Sequence, residues 1–402
     1  MMLSCVFEGS FWTSMIPHWS DCWTVRSTSL NCRYQTRNHE KEIQFSNSTW
    51  GRVAPLKADS ADPRTVDPCL QSLKMVLLIN GVPIDDAPRD MNNFFHQFPH
   101  FKESASALCS MKPQVVGPLS LLYIFQREFG VTYPHDNKIS ILGTDDVTTS
   151  HIIVLRHTGS GATGISQIDR VFEEGLSTMI QRIQALSYHY DGRLELHIIG
   201  GFADTKGISH QLSTSLLQCL HKLRAEMDLI TCTVNELCTI HRNGMPWPVI
   251  YGIGVNAKTG DIFPATFTDK GPDLDIRNAR TLTGGDTVGM LEVYDCTREE
   301  LRIGPFSYGP MRSVDLLLQQ SDDFLRQNLS TSPEVAPPLF VPHLRSTLKR
   351  IKDDPYPSVT LFHSNLPRFY RKDDISGQWL RYQKEDVVPW SPISQTSTQA
   401  YY

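Results

Sequence analysis

Short apolar segments in the middle of the chain have the patterns of β-strands. In residues 150–157 (SHIIVLRH), Ile152 and Val154 should face one side of a strand. Ile153 and Leu155 should then face the other side. Apolar residues on both faces are typical of a sheet that is covered on both sides. We therefore predict that residues 150–157 form a central strand.

Other patterns predict hairpins and helices around this strand. The glycine-containing segments 158–161 and 258–260 each separate two strand-like segments, which indicates β-hairpins. Apolar residues recur every three to four positions in residues 171–189, as in an amphipathic helix, and a second helix is expected over residues 209–226. These elements predict an α/β fold with a mixed, mostly antiparallel sheet sandwiched with helices, and a helical C-terminal part.

The composition changes along the chain and predicts four regions. Residues 1–74 hold four of the seven tryptophans without any helical or alternating period, so we expect a poorly structured extension there. We interpret this extension as a non-native leader or an alternative start, and a partner-binding arm is the alternative. The folded part should begin at Met75, with an α/β domain over residues 75–315 and a helical part packed on it over residues 316–384. Residues 385–402 should form a disordered polar tail.

Charge and hydropathy exclude several classes of partner. The 402-residue chain has a formal net charge of −5 and no long Lys/Arg block, so we expect it to bind neither nucleic acid nor membranes. It has no run of about 18 apolar residues, which predicts a soluble protein. Its nine cysteines lack the spacing of a disulfide framework, and its N-terminus lacks the basic region of a secretory signal. We expect a monomer with reduced thiols in the cytoplasm, with the nucleus as a second location.

Two segments resemble cofactor sites only superficially. Cys232, Cys238 and His241 lack the spacing of a zinc knuckle, and we interpret the cysteines as core thiols. The glycine-rich segment 157–164 (HTGSGATG) joins two strands and lacks the Gly-Lys-Ser/Thr ending of a phosphate-binding loop. We therefore expect neither a metal nor a cofactor.

Seven sequence blocks follow one another between residues 116 and 348: VGPLSLLYIFQREFGVT, ISILGTDDVTTSHIIVLRHTGSGAT, RLELHIIGGFAD, PVIYGIGVNAKTGDIF, ARTLTGG, LRIGPFSY and NLSTSPEVAPPLFVPHLRSTL. Together they resemble the protein N-terminal asparagine amidohydrolase family, and the resemblance covers roughly residues 75–382. So many blocks in order are far more specific than one short motif.

The resemblance implies an enzyme that hydrolyses the side-chain amide of an N-terminal asparagine, which yields aspartate and ammonia and feeds the N-degron pathway of protein degradation. Its partners would be proteins or peptides with an N-terminal asparagine. The catalyst of that family is a cysteine at the start of the strand that follows GTDDVTT. In this chain the corresponding residue is Ser150.

A fainter similarity extends to chemotaxis-receptor glutamine deamidases, which implies an α-β-β sandwich. In those enzymes a histidine lies on the hairpin partner of the cysteine strand, and a threonine precedes the cysteine. By spacing, these residues correspond to Gln167 and Thr144. Positions 150 and 167 are nearly symmetric about the turn at residues 158–161, so they should face each other directly or diagonally. Gln167 cannot act as a general base.

None of the neighbouring histidines is well placed to replace that base. His151 should project to the opposite face of the strand from Ser150. His157 has the wrong parity and lies roughly 23 Å along the strand at about 3.3 Å per residue. His197 lies on another strand and could approach the site, although a strand histidine is more often a core or surface residue.

Four further residues are candidates for substrate binding. Asp145 or Asp146 could hold the α-ammonium of a substrate, or both could bind turn amides. Gly200 and Gly201 could offer backbone N–H groups to an oxyanion, or could permit a tight bend.

The serine leaves two hypotheses about function. A cysteine can become a thiolate beside a histidine, whereas a serine hydroxyl needs a general base in hydrogen-bond contact. We favour an inactive or impaired relative that binds N-terminal Asn or Asp. The alternative is a working amidohydrolase that uses Ser150 as its nucleophile.

Overall fold

A computed structural model describes residues 76–283 and 289–383 of the chain. The predicted extension at residues 1–74 and the predicted tail at residues 385–402 lie outside the described residues. The described residues belong to one compact unit that begins at Leu73.

The largest sheet has eight strands, which are β1 (Val76–Ile79), β2 (Val82–Pro83), β5 (Glu128–Thr132), β7 (His151–His157), β8 (Thr163–Ile168), β9 (Leu194–Phe202), β10 (Glu226–Asn235) and β15 (Leu291–Glu292). Their order in the sheet is β15-β5-β8-β7-β9-β10-β1-β2. Strand β7 pairs antiparallel with β8 on one side and with β9 on the other, so the predicted central strand is confirmed.

Four helices cover one face of this sheet. Ile153 and Leu155 of β7 belong to an apolar core that also contains Phe101, Met179 and Leu216 from the helices. The helices are α1 (Met91–Gln97), α2 (His100–Ser110), α3 (Glu173–Leu186) and α4 (Ile208–Lys222).

Both predicted helices of this layer form, with one boundary that differs. Helix α3 lies within the predicted residues 171–189. Helix α4 ends at Lys222 instead of reaching Glu226, because Glu226 already begins β10. Its first turn is capped by Asp204, whose carboxylate accepts hydrogen bonds from two backbone N–H groups of that turn.

Two smaller sheets cover the other face of the large sheet. Ile152 and Val154 of β7 belong to a second apolar core, together with Leu142, Ile253 and Tyr294 from the smaller sheets. One sheet has the order β3-β14-β13-β6-β4, and the other has the order β16-β17-β18-β19. The strands are β3 (Gln114–Val116), β4 (Leu121–Tyr123), β6 (Ile141–Thr144), β13 (Ile253–Asn256), β14 (Ile262–Phe267), β16 (Tyr294–Asp295), β17 (Glu300–Ile303), β18 (Arg368–Lys372) and β19 (Trp379–Tyr382).

The layers therefore follow the order helices, large sheet, smaller sheets. This arrangement confirms the predicted α/β fold with mixed, mostly antiparallel sheets. An additional hairpin is formed by β11 (Thr239–Arg242) and β12 (Met245–Pro248).

The C-terminal part contains the predicted helices and also two strands that were not predicted. Helices α5 to α8 enclose a separate apolar core. After them, β18 pairs with β17 and β19 pairs with β18, so the prediction of a helical region over residues 316–384 is wrong for its end. The helices are α5 (Leu274–Thr283), α6 (Val314–Leu318), α7 (Asp322–Leu329), α8 (Phe340–Asp353) and α9 (Pro357–Thr360). Of the helices within residues 76–283 and 289–383, none has the length and apolar character needed to cross a membrane.

Candidate active site

Ser150 lies directly before β7, with only 7% of its surface exposed. In the β7–β8 hairpin, His151 is opposite Ile168 and Ile152 is opposite Gln167. Gln167 is therefore a diagonal neighbour of Ser150 across the hairpin, as predicted from the symmetry of the turn.

A chain of hydrogen bonds joins the three residues that were predicted as a catalytic group. The Thr144 hydroxyl donates to Gln167 Oε1 at 2.6 Å, and Gln167 Nε2 donates to Ser150 Oγ at 3.1 Å. All three side chains are buried. Thr144 is the last residue of β6, so the site forms where the large sheet meets one of the smaller sheets.

The direction of these hydrogen bonds decides what the site can do. An amide nitrogen carries no available lone pair, so Gln167 Nε2 stabilises Ser150 Oγ as an acceptor but cannot remove its proton. If the amide were rotated by 180°, the Ser150 hydroxyl would donate to a neutral carbonyl oxygen, which is also not a general base. In either orientation Ser150 stays a neutral hydroxyl.

His151 lies on the opposite side of β7 from Ser150 and faces α4. Its Nε2 atom is 2.6 Å from the Ser213 hydroxyl of that helix. The ring is fully buried, and this burial lowers the pKa of His151 to about 4. His151 is therefore a neutral core residue at physiological pH.

The other two candidate histidines are also engaged elsewhere. His197 Nδ1 is 3.1 Å from the Thr231 hydroxyl, and burial lowers the pKa of His197 to about 4. His157 contacts Ser160 in the hairpin turn. Within the described residues, no histidine forms a hydrogen bond with the Ser150 hydroxyl.

Asp145 is held on the other side of the strand from Thr144. Its carboxylate accepts hydrogen bonds from the Tyr123 hydroxyl at 2.6 Å and from the Phe267 backbone N–H at 3.2 Å. Lys270 Nζ lies 2.7 Å from the same carboxylate and also forms an ion pair with Asp146. Burial, followed by the neighbouring charge of Asp146, raises the pKa of Asp145.

The predicted role of the two aspartates therefore does not fit their geometry. Adjacent residues of a strand project to opposite faces, so Asp145 points away from the face that Thr144 shares with Gln167. The ammonium group of Lys270 already occupies the position that a substrate ammonium would take between Asp145 and Asp146. The two carboxylates bind the ammonium group of Lys270 from the same chain instead of a substrate ammonium.

Gly200 and Gly201 allow neighbouring side chains to pack closely, and they adopt a left-handed backbone conformation. Their φ angles are 96° and 66°, a region that glycine adopts at little cost. A Cβ atom on Gly200 would lie 2.8 Å from the Val147 side chain, and one on Gly201 would lie 2.4 Å from the His151 ring. These contacts explain both glycines by packing.

Two contacts at the site were not predicted from the sequence. The Thr331 hydroxyl, from the segment after α7, is 3.1 Å from the hydroxyl of Thr149, which directly precedes Ser150. Glu128 on β5 is paired with Gln167 in the sheet and forms a buried ion pair with Arg277 of α5 at 2.6 Å. No local pattern indicates either contact, because the partners lie far apart in the chain. Thr331 does lie in one of the sequence blocks that resemble the family.

A groove among the described residues lies away from Ser150. It has a volume of about 1160 Å³, runs beside α3, and includes neither Ser150 nor Gln167. No cluster of His, Cys, Asp or Glu side chains within the described ranges could hold a metal ion.

Comparison with known proteins gives a consistent match. The family profile described as protein N-terminal asparagine amidohydrolase matches residues 111–381. The human protein of that name is 43% identical over 307 residues, which cover 76% of this chain and 97% of the human protein. The pig protein of the same name is 42% identical over the same shares. The Arabidopsis thaliana protein of that name is 28% identical over 284 residues, which cover 64% of this chain and 80% of the plant protein.

Proposed function

Because this chain belongs to the protein N-terminal asparagine amidohydrolase family, we propose that it binds polypeptides with an N-terminal asparagine or aspartate at the Ser150 site and hydrolyses the asparagine amide weakly or not at all. The observation that supports this proposal is the hydrogen bond from Gln167 Nε2 to Ser150 Oγ. The neighbour of the nucleophile position is a donor, where amide hydrolysis needs a base.

The proposed loss of activity follows from the side chains of Ser150 and Gln167 together. A serine hydroxyl is a weak nucleophile unless a base removes its proton during attack. Once one member of a cooperating pair is lost, the other contributes little to catalysis. A serine paired with a glutamine is therefore a coherent replacement for a cysteine paired with a histidine, and it should abolish most of the turnover.

Binding can survive this loss because the walls of the site are intact. Thr144 and Gln167 are held by backbone pairing in two sheets, Ser150 directly precedes the paired strand β7, and the three side chains are joined by hydrogen bonds without a ligand. A preorganised site loses little conformational entropy when a ligand binds. The ligand class follows from the family, whose reaction acts on the first residue of a polypeptide. Such a protein would shield N-terminal asparagine from degradation, as a monomer in the cytoplasm or nucleus.

The alternative is a working amidohydrolase with Ser150 as nucleophile. The same hydrogen bond from Gln167 would stabilise a Ser150 alkoxide, which is the one observation in favour of this alternative. It would still require a proton acceptor from the substrate or solvent.

Calorimetry and ammonia release distinguish these functions. A peptide that begins with asparagine should bind, and its N-acetylated form should bind at least about tenfold more weakly, because acetylation removes the free N-terminus on which the family's reaction depends. Ammonia release should not exceed the spontaneous rate. Stoichiometric ammonia release that Ser150→Ala abolishes would establish the working enzyme instead. Equal binding of the free and acetylated peptides, or no binding of either, would contradict the binding function.

A further inference from the structure

Two cysteine side chains lie together where helix α2 meets the segment that follows β10. Cys109 is in the last turn of α2, and Cys238 is the last residue of the 3-10 helix Glu236–Cys238. The Cys109 thiol donates a hydrogen bond to the backbone carbonyl of Leu237 at 3.5 Å. It is also in hydrogen-bond contact with the Cys238 sulfur. Two thiols that are far apart in the chain are thus neighbours in the fold.

The two sulfur atoms differ in their access to solvent. Cys238 is fully buried and belongs to the apolar core between the large sheet and the smaller sheets. Cys109 packs against the same core but is only half-buried. Both cysteines are free thiols. A small reagent can therefore reach Cys109 from the surface, whereas Cys238 is shielded from direct attack.

The contact also changes the acidity of both thiols. The hydrogen bond from Cys109 lowers the pKa of Cys238, against the opposing effect of burial. The same hydrogen bond, followed by burial, raises the pKa of Cys109. The thiolate is the form of cysteine that attacks a disulfide sulfur. Cys238 is therefore suited to attack a disulfide that has formed on Cys109.

We propose that Cys109 and Cys238 are a modification site, at which a low-molecular-weight disulfide reversibly oxidises the two thiols to an intramolecular disulfide within the folded protein. The site lies apart from Ser150, and the inference does not depend on the proposed function. The resting form has both thiols reduced.

The oxidation consists of two exchange steps. In the first, the Cys109 sulfur attacks one sulfur of the reagent, the S–S bond of the reagent breaks, and the leaving thiolate takes the Cys109 proton. In the second, the Cys238 sulfur attacks the Cys109 sulfur of the mixed disulfide, and the second reagent thiolate leaves with the Cys238 proton. The two protein thiols lose two electrons in total, and the reagent disulfide is reduced to two thiols.

The new bond should be compatible with the fold. A disulfide requires the two sulfur atoms to approach to about 2.05 Å, and atoms already in contact need only a small movement to do so. A bond between residues far apart in the chain also restricts the unfolded state, which stabilises the folded state. We therefore expect the oxidised protein to be at least as stable as the reduced protein.

The test uses the full chain and oxidised glutathione as the reagent. After incubation under native conditions, the remaining free thiols are alkylated, and the digested protein is mapped by mass spectrometry. The wild type should yield a peptide in which Cys109 is linked to Cys238, and a dithiol reductant should remove the link. The melting temperature of the oxidised protein should be no lower than that of the reduced protein.

Two variants separate the steps. Cys238→Ser should carry at least about tenfold more glutathione on Cys109 than the wild type, because the thiol that resolves the mixed disulfide is missing. Cys296→Ser is the matched control. Cys296 is also half-buried against the same core, but burial and the carboxylates of Asp136 and Asp295 raise its pKa to about 12, and no thiol is among the groups that do so. This variant should form the Cys109–Cys238 link as the wild type does.

Several results would overturn the inference. One is the absence of the linked peptide from the oxidised wild type, and another is a disulfide between Cys109 and a cysteine of residues 1–74 instead. A lower melting temperature after oxidation would show that the bond forms at the expense of the native fold. Equal amounts of glutathione on Cys109 in the wild type and in Cys238→Ser would show that Cys238 does not attack the mixed disulfide. The wild-type map is decisive by itself, so the test does not depend on the folding of either variant.

Discussion

At the scale of single residues, the proposed loss of activity depends on two side chains, Ser150 and Gln167. The scaffold around Ser150 and Gln167 still fixes their relative position through the β7–β8 hairpin. Positioning and oxyanion donors retain catalytic value even when the nucleophile is lost. Activity should therefore be recoverable by changing only these two residues.

The double change Ser150→Cys with Gln167→His should restore measurable ammonia release from an asparagine-initiated peptide. Ser150→Cys alone should be at least about 100-fold slower than the double variant, because an unpaired thiol stays mostly protonated and lacks a base. Gln167→His alone, which supplies a base without a thiol, is the matched control. Equal rates for the single cysteine variant and the double variant would show that position 167 does not act as the base.

Asp145 and Asp146 offer a second comparison between neighbouring residues. Asp145→Asn should destabilise the fold by roughly 2–4 kcal/mol, because it removes the charge that a buried Lys270 faces and weakens the hydrogen bond from Phe267. Asp146→Asn should cost less than about 1 kcal/mol, because its side chain is 42% exposed. Asparagine also tolerates the positive φ of Asp146. Urea unfolding of both variants measures the difference, and equal losses of stability would contradict this assignment.

The sequence predicted the relative position of Ser150 and Gln167 better than their surroundings. The resemblance to known families implied Ser150, Gln167 and Thr144, and the position of one turn predicted that Ser150 and Gln167 face each other. The contacts of Asp145 could not be predicted, since Lys270 and Phe267 approach it from a distant part of the chain. The contact between Thr149 and Thr331 was not predicted for the same reason.

At the scale of elements, β7 carries different chemistry on its two sides. On the side of the smaller sheets, the start of β7 adjoins the Ser150 site. On the side of the helices, β7 buries His151 against α4. A histidine in such a core must stay neutral, so the β7–α4 contact should be sensitive to acid.

Stability should fall as the pH decreases from about 6.5 to about 4. The pKa of His151 is about 4 in the folded state, where burial disfavours its charged form. In the unfolded chain a histidine has a pKa of about 6.5, so the unfolded state binds more protons in this interval. The contribution of His151 is thus fully present above pH 6.5 and is lost toward pH 4, with a magnitude on the order of 3 kcal/mol.

Urea unfolding between pH 7 and pH 4.5 measures this dependence. The variant His151→Asn should show a smaller decrease in stability over the same interval, whatever its absolute stability. His197, whose pKa is also about 4, retains its own contribution in that variant. Identical pH profiles for wild type and His151→Asn would contradict the burial of a neutral His151 as the cause.

Elements with local periodicity were predicted, and elements defined by pairing were not. The patterns of β7 and α3 follow from the residues of each element alone. Strands β18 and β19 were missed because their short, charged sequences form an edge hairpin that depends on pairing with β17.

At the scale of the whole molecule, the sequence predicts that residues 1–74 do not contribute to folding. Because they lack a periodic apolar face, their deletion should leave the melting temperature of the protein unchanged. Thermal unfolding of the full chain and of a protein that starts at Met75 tests this expectation. A fall of more than a few degrees in the shorter protein would contradict it.

The contact between Thr149 and Thr331 also has a consequence for the order of events during protein synthesis. The two residues are 182 positions apart, so at ribosomal rates of about 5–20 residues per second the second one follows the first by roughly 10–40 seconds. The edge strand β15 of the large sheet is likewise made long after β5, with which it pairs. A nascent chain that has already produced Ser150 therefore still lacks the residue that contacts Thr149 beside it. The proposed recognition of another polypeptide's end would begin only after Thr331 has been made.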